Sequence, residues 1–386
     1  MREPILLAGY SVRMLAELAA RAGYDVIALD YFGDSDLRAT CRGVSLLHDF
    51  AGKAYNPRAL VAAARSLEAP SVVYGASFEN HPELVAELAR GRQLLGNRPD
   101  VLARVRDPLV LGASLRGAGF AFPETRRPVR ADEDENLISC QVDPFAPPVG
   151  WLWKPERGGG GSGVRWAGRG QSANAIVQEF IEGLPCSFTF VANGRDAQLI
   201  GLSEQLIGLS EFGASGFRWC GNLTPPRAPA GALDAMQREA ARIAVHLAGA
   251  FGLRGVNTVD FIWRSGRIWS LEVNARPSAS LELFDRLFDL RMFDLHVRGC
   301  QGEHAQLSTP AVGAAGKAVV FATANARVGD TRGWRARDIR DIPHPGESIL
   351  RGHPICTVLS AADTPDACLV ELRTRAAWVS ERLLPG

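Results

Sequence analysis

Apolar runs and helical spacings alternate from the first residues of the chain. "ILLAG" (5–9) is an unbroken apolar run that predicts a short buried strand. "SVRMLAELAARAG" (11–23) places Met14, Leu15, Leu18 and Ala19 on one helix face, with Gly23 as its stop, and "DVIALD" (25–30) predicts a second strand ending at Asp30. "ALVAAARSLEAPSVVYGASFENHPELVAELARG" (59–91) repeats the pattern. Residues 1 to about 100 therefore predict a doubly wound α/β unit. Its dinucleotide fingerprint is missing, because Gly9 stands alone where G-x-G-x-x-G is required. The unit is expected to be a scaffold that forms one wall of a substrate cleft.

Beyond it, the pattern predicts a helix with cationic flanks at about 107–118, then "GFAFPET" leading into a strand. The acidic stretch "ADEDENLI" (131–138) reads as a solvated helix start without chemistry. "AIVQEFIEGLPCSFTFVANGRDAQLIGLSEQLIG" predicts several strands punctuated by turns, and "LDAMQREAARIAVHLAGAFG" a helix capped by Gly252. "VNTVDFIW" and "IWSLEVNARP" predict two strands across "RSGR". From about 305 the chain is rich in Gly, Pro and Ala, with short strands ("KAVVFATANA", "PICTVLSA") and a final helix near 365–383, which predicts a small C-terminal subdomain.

Composition narrows the function. In a chain of 386 residues, 22% are charged and the net charge is +1, so no nucleic-acid partner is expected. No stretch approaches the ~18 apolar residues of a membrane span, and the start reads as a strand rather than a secretory signal. The seven cysteines are scattered without a C-x-x-C pair, and the seven histidines have no ligand-spaced partners. A reducing cytoplasm is the expected location, with neither disulfides nor a zinc site.

Three constellations carry chemistry. "WLWKPERGGGGSGVRWA" (151–167) sets a glycine run between alternating residues, Trp151 and Trp153 before it and Val164 and Trp166 after. That is a strand–loop–strand pattern, not a domain linker. It is not a Walker loop, since its lysine, Lys154, precedes the glycines. Bare backbone amides there could wrap phosphates with Lys154 beside them, or the stretch could be a mobile surface hairpin.

In the hairpin around Gly266, a three-residue loop (Ser265 to Arg267) sets Trp263 opposite Trp269, Phe261 opposite Leu271 and Val259 opposite Val273. The other face then pairs Ile262 with Ser270, Asp260 with Glu272 and Thr258 with Asn274. A two-residue loop would mix the faces, so the three-residue register is expected. Facing carboxylates repel unless a cation sits between them, and oxygen ligands of this kind suit Mg²⁺. The alternative is an exposed strand face with dispersed acids. Third, "AIVQEFIEG" (175–183) runs an apolar strand into Glu179, Phe180, Ile181 and Glu182, which could form an adenine hinge or a plain edge strand.

Taken in order, Lys154 before a glycine loop, "QEFIEG", Asp260 and "EVNARP" resemble the ATP-grasp superfamily. The resemblance implies an α/β and α+β protein: an N-terminal pre-ATP domain (1–105), a small lobe with a glycine lid (106–178), a large lobe with the metal site (179–304) and a small C-terminal subdomain (305–386). It implies that Lys154 binds the ATP phosphates, with Gly158, Gly159, Gly160, Gly161, Ser162 and Gly163 as the lid over them. Gln178, Glu179, Phe180, Ile181, Glu182 and Ser187 would complete the nucleotide site. Asp260, Glu272 and Asn274 would bind Mg²⁺ or Mn²⁺, two ions being implied, and Arg276 would act beside Lys154 as a catalytic cation.

The sequence departs from the family pattern where Pro108 follows Asp107 in place of a second ATP lysine. It departs again where Cys186 and Ser187 replace a ribose-binding acid, and where "NARP" replaces "NPRP". "GLPCSFTF", "SEQLIG" and "CGNLTP" resemble a subgroup of ATP-dependent carboligases related to biotin carboxylase, some of which accompany pathways for methanofuran- or methanopterin-type carriers. The implied reaction activates a carboxylate as an acyl phosphate and joins it to an amine, forming ADP, with small molecules as partners and a homodimer by analogy. A bicarbonate-using carboxylase and a non-catalytic nucleotide-binding module are the alternatives. Ser278 and Ser280, in "RPSASLELFDR" (276–286), are open between substrate contact and loop solvation.

Overall fold

The computed structural model describes residues 3–50, 54–128, 150–168, 175–229, 231–288, 290–304, 307 and 313–386; the acidic stretch 131–138 lies outside the described residues. The N-terminal unit is built as its alternating pattern predicts. Strands β1 (Ile5–Ala8), β2 (Val26–Asp30), β3 (Arg42–Ser45), β4 (Ser71–Tyr74) and β5 (Gln93–Leu94) form one sheet in the order β3-β2-β1-β4-β5, every pair parallel. Helices α1 (Arg13–Arg21), α2 (Ser35–Thr40), α3 (Leu46–Asp49), α4 (Pro57–Ala64), α5 (Pro82–Leu88) and α6 (Pro99–Val105) alternate with the strands or follow them. Every residue of β1 and β2 is buried, as befits parallel strands covered on both faces.

The chain leaves this unit through α7 (Pro108–Gly117). Asp107 caps that helix, its carboxylate accepting from the Leu109 amide at 2.9 Å, while Pro108 occupies the first turn, where its missing N–H costs nothing. "GFAFPET" makes only a bridge from Ala121 to Trp269 before β6 (Thr125–Arg126). β7 (Trp151–Pro155), β8 (Arg165–Trp166) and β9 (Ala175–Glu179) complete a four-stranded antiparallel sheet, β6-β9-β7-β8, with the glycine run joining β7 to β8.

The largest layer is an antiparallel sheet of eight strands. β10 (Leu184–Asn193), β11 (Ala197–Ile207), β12 (Trp219–Thr224), β13 (Arg254–Arg264) and β14 (Arg267–Asn274) form most of it. Its apolar face, with Phe188, Phe190, Val259 and Phe261, packs on the buried stripe of α8 (Ala232–Phe251), which ends at Gly252 in the left-handed conformation expected of a glycine cap. Helices α9 (Leu281–Phe288) and α10 (Met292–Cys300) join the other face to α1 and the parallel sheet, through Val191, Ile200 and Val256.

The C-terminal segment first extends the eight-stranded sheet and then forms a three-stranded one of its own, of order strand 348–349, strand 326–328, strand 383–385. β15 (Ala314–Phe321) pairs with β12, and the order runs β14-β13-β10-β11-β12-β15-β19-β17. Around it, β16 (Ala326–Val328), β17 (Ile339–Arg340), β18 (Ser348–Ile349), β19 (Pro354–Ala362), α11 (Pro365–Ser380) and β20 (Leu383–Pro385) enclose a separate apolar cluster centred on the fully buried Trp334. Among the described residues, no helix is long and apolar enough to cross a membrane.

Candidate active site

The β13–β14 hairpin carries the acidic pair, and its register departs from the expected one at the tip. Thr258, Val259 and Asp260 face Asn274, Val273 and Glu272 as expected, but the turn holds only Ser265 and Gly266, and Phe261 faces Ser270 rather than Leu271. Both turn residues have positive φ, 50° and 75°, the geometry whose twist matches a two-residue hairpin. A bulge between Asp260 and Phe261 takes up the extra residue, so Ile268 and Ser270 stay buried with Phe261 while Val273 remains in the core. The two registers weighed from the sequence both occur, one on each side of the bulge.

Asp260 accepts hydrogen bonds from the Gln205 amide (2.9 Å) and the Asn274 amide (3.0 Å). Burial first, and then the neighbouring Glu272 carboxylate, push Asp260 up to about 7. Burial acts the same way on Glu272, but Arg106 and Lys154 outweigh it and hold that carboxyl at about 2. Arg106, at the end of α6, donates to Glu272 Oε2 (3.2 Å), to the Val273 carbonyl (3.2 Å) and to Asn80 Oδ1 (2.8 Å). Glu272 keeps 36% of its side chain exposed, so the pair opens to the cleft.

Among the described residues no group of three or more His, Cys, Asp or Glu side chains could hold a metal. Two carboxylates and the Asn274 amide are the donors present. That oxygen set fits Mg²⁺, which takes few protein ligands and completes its shell with water and phosphate oxygens. Repulsion between the facing acids is what such a cation would relieve.

Lys154, on β7, donates to Gln178 Oε1 (3.1 Å), and Gln178 in turn donates to Thr125 (3.0 Å). Gln178 is 2% exposed and so braces the lysine from behind the cleft. The glycine loop packs against neighbouring segments. Its Gly160 carbonyl accepts from the Trp219 amide (3.0 Å), its Gly158 carbonyl from Asn80 (3.4 Å), and a Cβ on Gly161 would fall 1.8 Å from the Phe217 carbonyl oxygen. Gly159 and Ser162 form its turn, with Ser162 N–H donating to the Gly159 carbonyl at 3.1 Å, and Gly163 has positive φ.

In the segment expected to be an adenine hinge, the Glu179 and Phe180 amides are taken by the Glu124 and Gly150 carbonyls, each at 2.8 Å. Ile181 is buried, Glu182 is exposed, and Phe180 meets Trp166 and Phe217 edge-on. Arg276 sits at the end of β14, with Nε donating to Glu79 Oε1 (2.7 Å) and Nη1 to the Pro277 carbonyl (3.2 Å).

Ser187, expected in the nucleotide site, is 2% exposed, faces Asp260 across β10 and β13, and shares a hydrogen bond with Ser203 (2.9 Å). It belongs to a polar row in the sheet floor, because alternation turns position 187 to the same face as Asp260. Ser278 and Ser280 are likewise buried, in a chain of hydroxyls from Thr258 (2.7 and 2.9 Å), so neither is a solvated loop residue.

Sequence reasoning missed Arg106, Gln205 and the two cleft residues of the segment Phe78–Asn80. Gln205 could have been found by alternation along β11, since 203 and 205 share the face of the acidic pair. Glu79 and Asn80 left no local signal.

Residues 107–280 match a family profile described as an ATP-grasp domain. Solved structures agree with the whole fold. The biotin carboxylase domain of 2-oxoglutarate carboxylase from Hydrogenobacter thermophilus, solved with MgADP, ADP and bicarbonate, superposes with a TM-score of 0.70 at 12% identity, over 99% of this chain and 90% of that one. N5-carboxyaminoimidazole ribonucleotide synthetase from Thermotoga maritima gives 0.64 at 14% identity, over 99% of each chain. L-amino acid ligase from Bacillus licheniformis gives 0.68 at 14%, over 99% and 98%. No curated protein matches the sequence. Residues 107–280 are thus similar to the ATP-grasp domain, and the chain shares the mixed α/β fold of these structures.

Proposed function

We propose that this protein is an ADP-forming ligase that activates a substrate carboxylate with ATP and joins the acyl group to an amine. The carrying observation is the facing Asp260–Glu272 pair, bracketed by Lys154, Arg106 and Arg276 beside the glycine loop. The three solved relatives named above support an ATP-dependent ligase or carboxylase of this general type.

In this reading Asp260, Glu272 and Asn274 hold Mg²⁺. Bound there with ATP, the ion would neutralise charge on the phosphates. Lys154, fixed by Gln178, places a point charge where the α- and β-phosphates lie. Arg106, anchored at the acidic pair, supplies the charge that the proline at position 108 cannot. Gly158 to Gly163 close over the phosphates, and Glu179, Phe180, Ile181 and Glu182 border the base. Arg276, oriented by Glu79, stabilises charge on the transferred phosphoryl group. The closed loop keeps water from the acyl phosphate until the amine attacks.

The proposal includes the division of the chain at about 105, 178 and 304, a cytoplasmic location and a homodimer, the last by analogy with the H. thermophilus domain, which was solved as a dimer. A place among one-carbon-carrier precursors rests on the subgroup resemblance alone. The decisive assay combines ATP, Mg²⁺ and a panel of carboxylic acids with hydroxylamine, a small nucleophile that traps acyl phosphates as hydroxamates. Acid-dependent ADP with hydroxamate is the expected result. ADP formed with bicarbonate alone would favour the carboxylase reading, and absence of any acid-dependent turnover the binding-module reading.

A further inference from the structure

The carboxyl end of the parallel sheet holds a feature that nucleotide and metal chemistry do not use. Tyr10 follows β1, Tyr31 and Phe32 follow β2, and Tyr55 precedes α4. Their four rings form one cluster: Tyr10 stacks on Tyr31 (5.8 Å, 6°) and meets Phe32 and Tyr55 edge-on (4.9 and 4.7 Å), and Tyr31 also meets Phe32 and Tyr55. All four are half-buried: Tyr31 and Tyr55 pack on one side against the core, and each of the four rings keeps some exposed surface. They lie beside the point where the chain, having built β2 and β3 on one side of β1, crosses to β4 on the other. Crevices at such switch points are where open α/β sheets bind ligands.

One short segment ties this cluster to the site. Ser77, held at a φ of 82° that few non-glycine residues adopt, hydrogen-bonds the Tyr55 hydroxyl. Two residues on, Glu79 binds Arg276, and Asn80 binds Arg106 and the glycine loop. Glu79 is 4% exposed, and its second oxygen, Oε2, is buried without a hydrogen-bond partner. A buried carboxylate oxygen left unpaired is costly, which marks it as an acceptor awaiting a donor. It lies close enough to the rings that its charge, after burial, contributes to pushing the Tyr55 phenol up to about 12.

We infer that this crevice seats the amine substrate, and that the amine is an aryl-bearing primary amine whose ring packs on the Tyr10–Tyr31–Phe32–Tyr55 cluster while its nitrogen bonds Glu79 Oε2. The inference rests on the ligase reading. Aromatic faces attract both a flat apolar body and an ammonium, and an unpaired carboxylate selects the cation over an acid. The ammonium gives one proton to Glu79. The freed nitrogen then attacks the acyl phosphate: the C–N bond forms, the C–O bond to the phosphoryl group breaks, and the second nitrogen proton leaves with inorganic phosphate. Arg276, bound to the same glutamate, sets nucleophile and acyl phosphate side by side.

The test is calorimetric titration of the full chain with MgADP and then with 2-phenylethylamine, n-butylamine or 3-phenylpropanoate. The aryl amine is expected to bind at least about tenfold tighter than either comparator. Tyr31→Leu and Glu79→Gln should each weaken it by about tenfold or more, and Tyr31→Phe should not, with MgADP binding retained as the check on folding; Tyr10→Leu replaces Tyr31→Leu if that variant loses it. Equal binding of n-butylamine, or tighter binding of 3-phenylpropanoate, overturns the inference. A protein that binds MgADP but not 2-phenylethylamine overturns it while leaving the ligase reading intact. Loss of MgADP binding in the unmodified chain sinks both.

Discussion

Two buried charge clusters join the N-terminal unit to the large sheet, and they are built on opposite principles. One is the cleft set of Asp260, Glu272, Arg106, Arg276 and Glu79. The other centres on Arg13 of α1, 1% exposed, which donates to Asp341 (2.9 and 3.0 Å) and Glu282 (3.0 Å), while Lys317 of β15 binds the same Glu282. Asp36 accepts from the Asp341 and Ile342 amides at 3.0 and 2.9 Å. In that second cluster Arg13 and Lys317 meet Glu282 directly; they outweigh burial and hold it far below the usual carboxylate range.

The cleft set is left incomplete. Asp260 is pushed up by burial and by Glu272, and Glu79 Oε2 has no partner. A paired network of this kind holds lobes together, whereas an unbalanced one that opens to a cleft is completed by ligands.

Substitutions should separate the two. The largest effect belongs to Glu272→Gln. Turnover should fall by about two to three orders of magnitude, as when one transition-state-stabilising contact is removed, with the unfolding midpoint little changed; full activity with Mg²⁺ still required would disprove the metal assignment. Next is Arg13→Leu, which strands Glu282 and Asp341 and should cost about 3–5 kcal/mol by chemical denaturation. If its stability matches the parent, the second cluster is not the brace described above.

Smaller is Gly161→Ala. Its Cβ would strike the Phe217 carbonyl and its φ is positive, so the loop should close with a penalty of about 1–3 kcal/mol, read as a raised KM for ATP. Gly159→Ala, with nothing within 4 Å, should leave that constant nearly unchanged; equal effects would deny that loop closure matters.

The smallest effect is on pH. Asp30 and Asp36, near Arg13, are pushed up by burial to about 7 and about 6. Between their unfolded values near 4 and those folded values, the native chain binds more protons than the unfolded one. Their contribution is therefore present below about pH 4 and lost as pH rises towards 7. Asp30→Asn should flatten that part of the stability profile, with or without MgADP. A slope that vanishes only when MgADP is added would move its origin to the cleft.

Legibility followed the range of the interaction. Strand alternation predicted the parallel unit, the glycine hairpin and the helix ending at Gly252. It also placed Asp260 opposite Glu272, even though the tip of that hairpin uses a shorter turn and a bulge. Those features depend on residues a few positions apart, or across one turn.

Tertiary structure alone decided the rest. Arg106 stands 166 positions from the glutamate it binds, and Glu79 197 from Arg276. No periodicity links such pairs, because they meet only when the parallel sheet docks on the antiparallel one. The same docking brings Glu79 to Arg276 and Asn80 to Arg106, two and three residues on from the Ser77 that bonds Tyr55 of the ring cluster. The sequence by itself determined which residues share a strand face. The packing of distant segments determined which of those faces became a site.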